Sequence, residues 1–345
     1  MKVKEWKKGL SHVMKVVKKS NIPILQRINV ENGYMWASDM ETYLAYHIYC
    51  DNFKGLLPAF EFNSIIKGLN SEDKINLVNQ GKEILMIVNN DTKITLETED
   101  RNHFPKVPIV PPHDIDLKYQ GMISKEDVKK IKIASKFARN NLDKILIGNN
   151  IVGTDGFVMY WERKSGSYNE ERILPKNIAR YLKNSTYSLH ENRKDLGVFF
   201  TPIDGKGVIY TKKRDEKYPA YLSVIPNDPP FTINTDKKIL MSKVNHIIKV
   251  SDLDIKEVRF NIPFLDNKIK LSTLNSDSKV CFESLIDFDK VSPKLPEEDY
   301  VFALNAKFLL SILKECEGEK VTFKFSTPHR PVLINDNFLI MPITI

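Results

Sequence analysis

The chain is short of the residues that mark most enzymes and secreted scaffolds. Its three cysteines, Cys50, Cys281 and Cys316, are an odd number, far apart and without C-x-x-C spacing. This excludes a disulfide framework and a zinc knuckle, and fits a reducing compartment. Glycine occurs at only 14 positions and forms no G-x-G-x-x-G, no P-loop and no G-x-S-x-G elbow. H-E-x-x-H is absent too, and the seven histidines are scattered without ligand spacing. No resident metal or cofactor and no reaction of its own are therefore expected. No apolar run approaches the roughly 18–20 residues of a membrane span. The longest near the C-terminus, 338–345, is interrupted by Pro342. The lysine-rich start has no apolar stretch behind it, so it does not read as a signal peptide. A soluble, cytoplasmic protein is expected.

What is present is a globular balance, 42% hydrophobic and 28% charged over 345 residues, long enough for two or three domains. The net charge of +8 suggests a polyanionic partner. Six segments carry helical periodicity: 4–19, 59–69, 124–139, 175–184, 237–250 and 305–315. In the first, Trp6, Leu10, Val13, Met14 and Val17 make one apolar stripe; Ser124 and Asp127 sit in capping positions, and Pro175 suits a first helical turn. Between the helices lie short alternating segments, with hairpin signals at Asn32–Gly33, Gly148–Asn149 and around Asp204–Gly205. Segments 75–78, 84–88 and 94–97 read as consecutive antiparallel strands.

The order of long helix, strands, short helix and strands occurs three times. Ser38–Asp39 and Thr154–Asp155 stand 116 residues apart, and Pro105 and Pro219 stand 114 apart. A threefold repeat of about 115 residues follows. The Pro-rich stretches 105–112 and 226–230 become linkers, and the domains become 1–114, 115–228 and 229–345. Each is α+β, two helices packed on antiparallel sheet. The six helical segments hold 22 basic and 5 acidic residues, whereas the remainder of the chain is net acidic. Glutamate forms helices as well as lysine does, so this exclusion points to one positive surface built from helices and suited to phosphate contact. Asp39 and Asp155 could in principle be paired metal carboxylates of a nuclease. Equivalent positions in repeated domains lie apart, however, and Asp after Ser or Thr commonly fixes a turn.

The motifs resemble one family over essentially the whole chain. Ile22–Pro23–Ile24–Leu25 and Ala37–Ser38–Asp39–Met40–Glu41 resemble the L-P-I-L and A-T-D-L-E of the bacterial DNA polymerase sliding clamp, the beta subunit of the replicative polymerase. Gly153–Thr154–Asp155–Gly156–Phe157–Val158–Met159 is similar to its A-T-D-G-H-R-L, and the run from Tyr218 to Pro226 to its F/Y-P-D-Y-x-x-V-I/L-P. Residues 302–310 resemble F-x-V-N-A-x-Y-L-L. Residues 331–334 and 341–345 resemble P-L-L-I and M-P-M-R-L. The departures are H-R-L become Phe157–Val158–Met159 and M-R-L become Ile343–Thr344–Ile345.

The resemblance implies three DNA-clamp domains that form a head-to-tail homodimeric ring, helices toward the hole and sheets outside. It implies a processivity factor that encircles double-stranded DNA without sequence preference. Polymerase and clamp loader would be held through short linear motifs, with no membrane partner. Expected DNA contacts on the polar sides of the helices are Lys8, Lys15, Lys19, Arg139, Lys176, Arg180, Lys243 and Lys249. The partner-peptide cleft implied by the resemblance is lined by Leu146, Thr154, Gly156, Phe157, Val158, Met159, Pro219, Val224, Leu339, Met341 and Pro342. The implied dimer seam joins Ile94 and Leu96 to Val250 of a second copy. The alternative is a clamp-fold, non-specific DNA-binding protein that neither closes into a ring nor recruits a polymerase.

Overall fold

Where capping residues and apolar stripes coincide, the helices form as the sequence predicts. α1 spans Val3–Val13, α2 Ala59–Gly68, α3 Lys125–Phe137, α4 Ile178–Tyr181, α5 Lys237–Val250 and α6 Ala306–Glu315. The computed structural model describes residues 1–50, 53–106, 117–165, 170–192, 197–203, 205–263, 267–291 and 300–344. Ser124 Oγ accepts the Asp127 N–H (3.0 Å) while Asp127 Oδ2 accepts the Ser124 N–H (3.1 Å), a reciprocal cap ahead of α3. Asp236 Oδ1 accepts from the Ile239 N–H, and Asn305 Oδ1 accepts from Lys307 and Phe308, opening α5 and α6.

Two expected helices are shorter. The first ends at Val13 instead of reaching residue 19, leaving through a tightened turn in which the Val16 N–H reaches the Val13 carbonyl. Val16 and Val17 are β-branched and stay buried beyond the helix, and Lys15, Lys18 and Lys19 repel one another in sequence. The segment 175–184 yields only the four residues of α4. Pro175 closes the buried strand Arg172–Pro175 instead of opening a helix, a place that its missing N–H tolerates. The linker expected at 105–112 and the boundary at 114/115 lie largely outside the described residues, as do Asp204 of one hairpin signal and Ile345.

The chain packs as two compact units. The first comprises Met1–Lys132, Ile147–Asn149 and Lys164–Asp215; the second comprises Ile133–Leu146, Asn150–Arg163 and Glu216–Ile345. The middle third is thus divided between them. In the first unit an eight-stranded sheet runs from Gly55–Pro58 through Arg27–Glu31, Tyr34–Ser38 and Thr42–His47 to Gly207–Lys212, Gly197–Pro202, Tyr187–Asn192 and Leu117–Ile123. The pairing Thr42↔Thr211 to Tyr46↔Gly207 crosses from the first repeat to the second. One sheet face buries Trp36, Tyr43, Phe199 and Tyr210; α1 covers the other, with Gly9 against Met35 and Trp6 edge-on to Phe62 of α2 at 5.2 Å. The expected strands at 75–97 form a separate antiparallel sheet, Ile75–Gln80, Glu83–Val88 and Thr92–Glu97.

In the second unit Val158–Arg163 pairs with Phe338–Ile340, again joining one repeat to the end of the next. Beyond it the sheet continues through Val332–Ile334, Lys320–Phe325, Phe231–Asp236, Val280–Lys290, Lys268–Leu274 and Glu257–Ile262 to Tyr300–Asn305. Its core is a run of rings, Phe260 stacked on Phe302 at 5.0 Å with Phe323 and Phe325 beside them.

The repeat is clearest at its turns. Asp39 Oδ1 accepts the N–H of Glu41 (3.3 Å) and Thr42 (2.8 Å), and Asp155 Oδ1 accepts those of Phe157 and Val158, each at 3.0 Å. Ser38 Oγ and Thr154 Oγ1 each accept the N–H two residues on, and the residue there has positive φ in both, 74° at Met40 and 91° at Gly156. Both aspartates are committed to turning the backbone.

Two predictions follow from this packing. A Cβ at Gly153 would stand 2.0 Å from the Ala134 carbonyl of α3, so Gly153→Ala should destabilise by about 1–3 kcal/mol. Gly68→Ala, with nothing within 4 Å, should be neutral or slightly stabilising; equal urea midpoints for the two variants would contradict the contact. His12 lies buried with Nε2 3.3 Å from the Val208 carbonyl, and burial, against that hydrogen bond, lowers its pKa to about 4. The folded protein therefore resists a proton that the unfolded chain takes near pH 6.5. Stability from this site is full above pH 6.5 and is lost as pH falls from 6.5 toward 4, by about 3 kcal/mol. Urea titrations across that window should slope for the wild type and flatten for His12→Gln.

Candidate peptide cleft and basic faces

The basic residues predicted for the helices separate into two groups. Lys8 on α1, Arg180 on α4, and Lys243 and Lys249 on α5 do lie on helices; Lys243 is half-buried and the other three are exposed. Lys15 and Lys19 follow the end of α1, Lys176 sits half-buried in a turn, and Arg139 follows α3. These four are corrections to the helical placement: Lys15, Lys19 and Lys176 for the reasons that shortened α1 and the 175–184 segment, and Arg139 because the backbone has turned extended there, φ −140° and ψ 169°, two residues past the end of α3. In the first unit the local field is positive: burial, then the charges of Lys183 and Lys132, hold the Lys15 amine below the usual lysine range. Lys8 carries an ion pair to Glu5 at 3.1 Å. Arg139 is drawn into the second unit's own structure, its Nε donating to the Lys136 carbonyl and its guanidinium lying 6.0 Å from the Phe308 ring centre.

The eleven cleft residues all fall in the second unit. The turn at Asp155–Gly156 delivers Phe157 outward and then starts the strand Val158–Arg163, whose ladder sets Val158 opposite Ile340 and Met159 opposite Leu339. Leu146, Thr154, Val158, Met159 and Leu339 are buried rather than open surface. Gly156, Phe157, Pro219 and Val224 are exposed, and Met341 and Pro342 are partly so. The C-terminal segment is held by the Met341 N–H on the Phe157 carbonyl (2.8 Å) and the Ile343 N–H on the Ala303 carbonyl (2.8 Å).

Residues 218–224 are fixed separately. The Tyr218 hydroxyl donates to the Val152 carbonyl at 3.3 Å, and burial pushes that phenol well above its usual range. Tyr221 meets Asn150 Nδ2 at 2.9 Å, while Leu222 and Val224 of the same 3₁₀ turn face solvent. The sequence reading missed Leu222, Tyr218 and Phe308. Phe308 stood inside a quoted motif, but only folding brings its ring to Phe157, stacked at 6.4 Å and 25°.

At the predicted seam, Thr92–Glu97 is the terminal strand of its sheet, with Glu83–Val88 as its partner among the described residues. Leu96 is only 5% exposed and belongs to the domain core, whereas Ile94 is half-buried. Both line a cavity of about 540 Å3 with Pro23, Phe60 and Ile65. Val250, at the end of α5, is 48% exposed.

Residues 222–338 match the family of the DNA polymerase III beta subunit, C-terminal domain. A beta sliding clamp of Caulobacter vibrioides is 22% identical over 148 residues, 41% of this chain and 37% of that relative's length. Crystal structures of the DNA polymerase sliding clamps of Pseudomonas aeruginosa and Caulobacter crescentus superpose with a TM-score of 0.83 each. They are 19% and 18% identical, and each alignment covers 100% of this chain and 99% of the other. Over its whole length the chain thus shares the fold of these bacterial DNA polymerase sliding clamps, and its C-terminal third matches the C-terminal-domain family by sequence.

Proposed function

We propose that the protein is a DNA sliding clamp: two copies close head to tail around duplex DNA and tether a polymerase without catalysing a reaction. The observation that carries this reading is the recurrence of one strand-pairing rule. The third strand of the first repeat takes the last strand of the second, Thr42–His47 with Gly207–Lys212. Counted likewise from the strand that follows the long helix, the third strand of the second repeat takes the last of the third, Val158–Arg163 with Phe338–Ile340. In the third repeat the equivalent strand, Val280–Lys290, meets Phe231–Asp236 only through residues 288–290 and has Lys268–Leu274 on one side of residues 280–287; that open side and the last strand of the first repeat, Thr92–Glu97, are the two edges left over among the described residues. Pairing them between two copies closes a ring of six alike domains, with the divisions at 1–114, 115–228 and 229–345. Val280, exposed at the start of its strand, joins Val250 on that side. Ile94 and the cavity beside it supply the other, and an edge strand readily templates such pairing.

The helices then supply a positive lining. Non-specific attraction to phosphates lets a ring slide, because no base-specific bond has to break. Tethering turns polymerase rebinding into an effectively intramolecular event. The cleft of the second unit receives short linear motifs of the polymerase and the clamp loader, and the cytoplasm is where replication would use it.

Each element has its own test. Charge reversal at Lys8, Arg180, Lys243 and Lys249 should flatten the salt dependence of duplex binding, by about 0.9 in log–log slope for each phosphate contact removed. An unchanged slope would put the DNA face elsewhere. Ile94→Lys places a desolvated charge in the seam while sparing the buried Leu96; sedimentation should show monomers that keep native circular dichroism. A dimer of undiminished stability would overturn the seam, and a wild-type monomer that still binds DNA would favour the open, non-ring alternative. Removing residues 341–345 deletes one rim of the cleft but keeps the strand Phe338–Ile340. It should abolish binding of a glutamine-led peptide ending in leucine and phenylalanine, of micromolar affinity or about −8 kcal/mol in the intact protein. DNA affinity should be unchanged. Equal binding of the scrambled peptide by the intact protein would sink recruitment and leave the fold standing.

A further inference from the structure

Beyond the end of α1 the first unit gathers cations from three helices. Lys15 stands two residues past α1, in the turn where its N–H reaches the His12 carbonyl (3.4 Å). Val16 and Val17 behind it are buried, so its backbone is held while its side chain is exposed. Lys183 is exposed two residues past α4, and Lys132 is half-buried on α3. The charges of both reach Lys15, and those of Lys15 and Lys183 reach His12, buried with Nε2 3.3 Å from the Val208 carbonyl. Among the described residues, neither the Lys15 nor the Lys183 ammonium takes an ion pair or a hydrogen bond. Lys8, by contrast, is paired with Glu5 at 3.1 Å. Burial first, then Lys183 and Lys132, hold the Lys15 amine below the usual lysine range.

We propose that Lys15 is a lysine acylation site: its exposed amine takes an acyl group from an anionic donor, an acyl phosphate, and the hold on DNA weakens as a result. The consequence for DNA rests on the proposed DNA face; the reactivity of the amine does not. Only the free amine carries the lone pair that attacks a carbonyl, and a lysine both partly desolvated and flanked by cations keeps more of it than a paired, solvated one. In the step, the Nζ lone pair forms a C–N bond to the acyl carbon. The bond from that carbon to the phosphate oxygen breaks with its electron pair, phosphate leaves, and a proton of the amine passes to solvent. Lys183 and Lys132 draw the anionic donor without reacting themselves, which is why an acyl phosphate fits this place better than an uncharged thioester. The product is a neutral amide, so the face loses one positive charge.

The test incubates the full-length protein with acetyl phosphate and reads the acetylation of each lysine against time by mass spectrometry. Lys15 should react at least about twofold faster than Lys18 and Lys19, its exposed neighbours in sequence. Lys183→Gln, with native circular dichroism, should bring Lys15 down toward their rate. An uncharged acetyl thioester should show a smaller preference for Lys15 than acetyl phosphate does. Lys15→Gln, which stands for the acylated side chain, should lower the log–log salt slope of duplex binding by about 0.9. A Lys15 that reacts no faster than Lys18 and Lys19, or whose rate ignores Lys183→Gln, overturns the site. Equal preference with the uncharged donor overturns the choice of an acyl phosphate. Selective acetylation with an unchanged salt slope in Lys15→Gln overturns the effect on DNA. A wild-type protein that binds no duplex overturns the DNA face itself, while the acetylation rates still decide for or against Lys15.

Discussion

The main-chain ladder between the third strand after the long helix of one repeat and the last strand of the next is the contact on which the architecture depends. It exists as Thr42–His47 against Gly207–Lys212 and as Val158–Arg163 against Phe338–Ile340. Backbone hydrogen bonds carry no sequence requirement beyond geometry, so side chains may diverge widely while the ladder persists. That accounts for a fold shared at a TM-score of 0.83 with clamps only 19% identical. It also explains why the middle repeat does not stand alone as a compact body: its strands complete the sheets of both neighbours.

The ladder is aimed by small turns. Ser38–Asp39 and Thr154–Asp155 each satisfy the amides of a tight reversal and set the strand that follows. In the second repeat the same turn throws Phe157 into solvent while burying Val158 and Met159 on the strand paired with Phe338–Ile340. A motif that reads as one run in sequence thus divides into buried residues that pack in the core and exposed ones that face solvent.

Charge is distributed on the same plan. Basic residues outnumber carboxylates on the helical segments, where pairs such as Lys8 with Glu5 leave most lysines over, whereas on the strands Arg172 meets Glu191 at 2.5 Å. Glu191 has its carboxyl raised by burial and lowered further by Lys213 and Arg172, with the net effect downward. Lys15 shows the opposite situation, an amine held below the usual lysine range by burial first and then by the like charges of Lys183 and Lys132.

The sequence by itself determined the α+β class, the positions of α3, α5 and α6 and the turn aspartates, because caps, apolar stripes and Asx turns act over a few residues. It determined the three strands at 75–97 for the same reason: alternation and turn residues are local. The end of α1 at Val13, the reduction of 175–184 to four helical residues and the burial of Leu96 were decided by tertiary structure, since each depends on what covers the segment. Arg139 shows the division most clearly. The sequence places it at the end of a lysine-rich helix as a phosphate contact; folding also brings Phe308, some 170 residues distant in the chain, within 6.0 Å of its guanidinium. Local periodicity carries no information about which distant ring a cation will meet; only the packing of the chain supplies it.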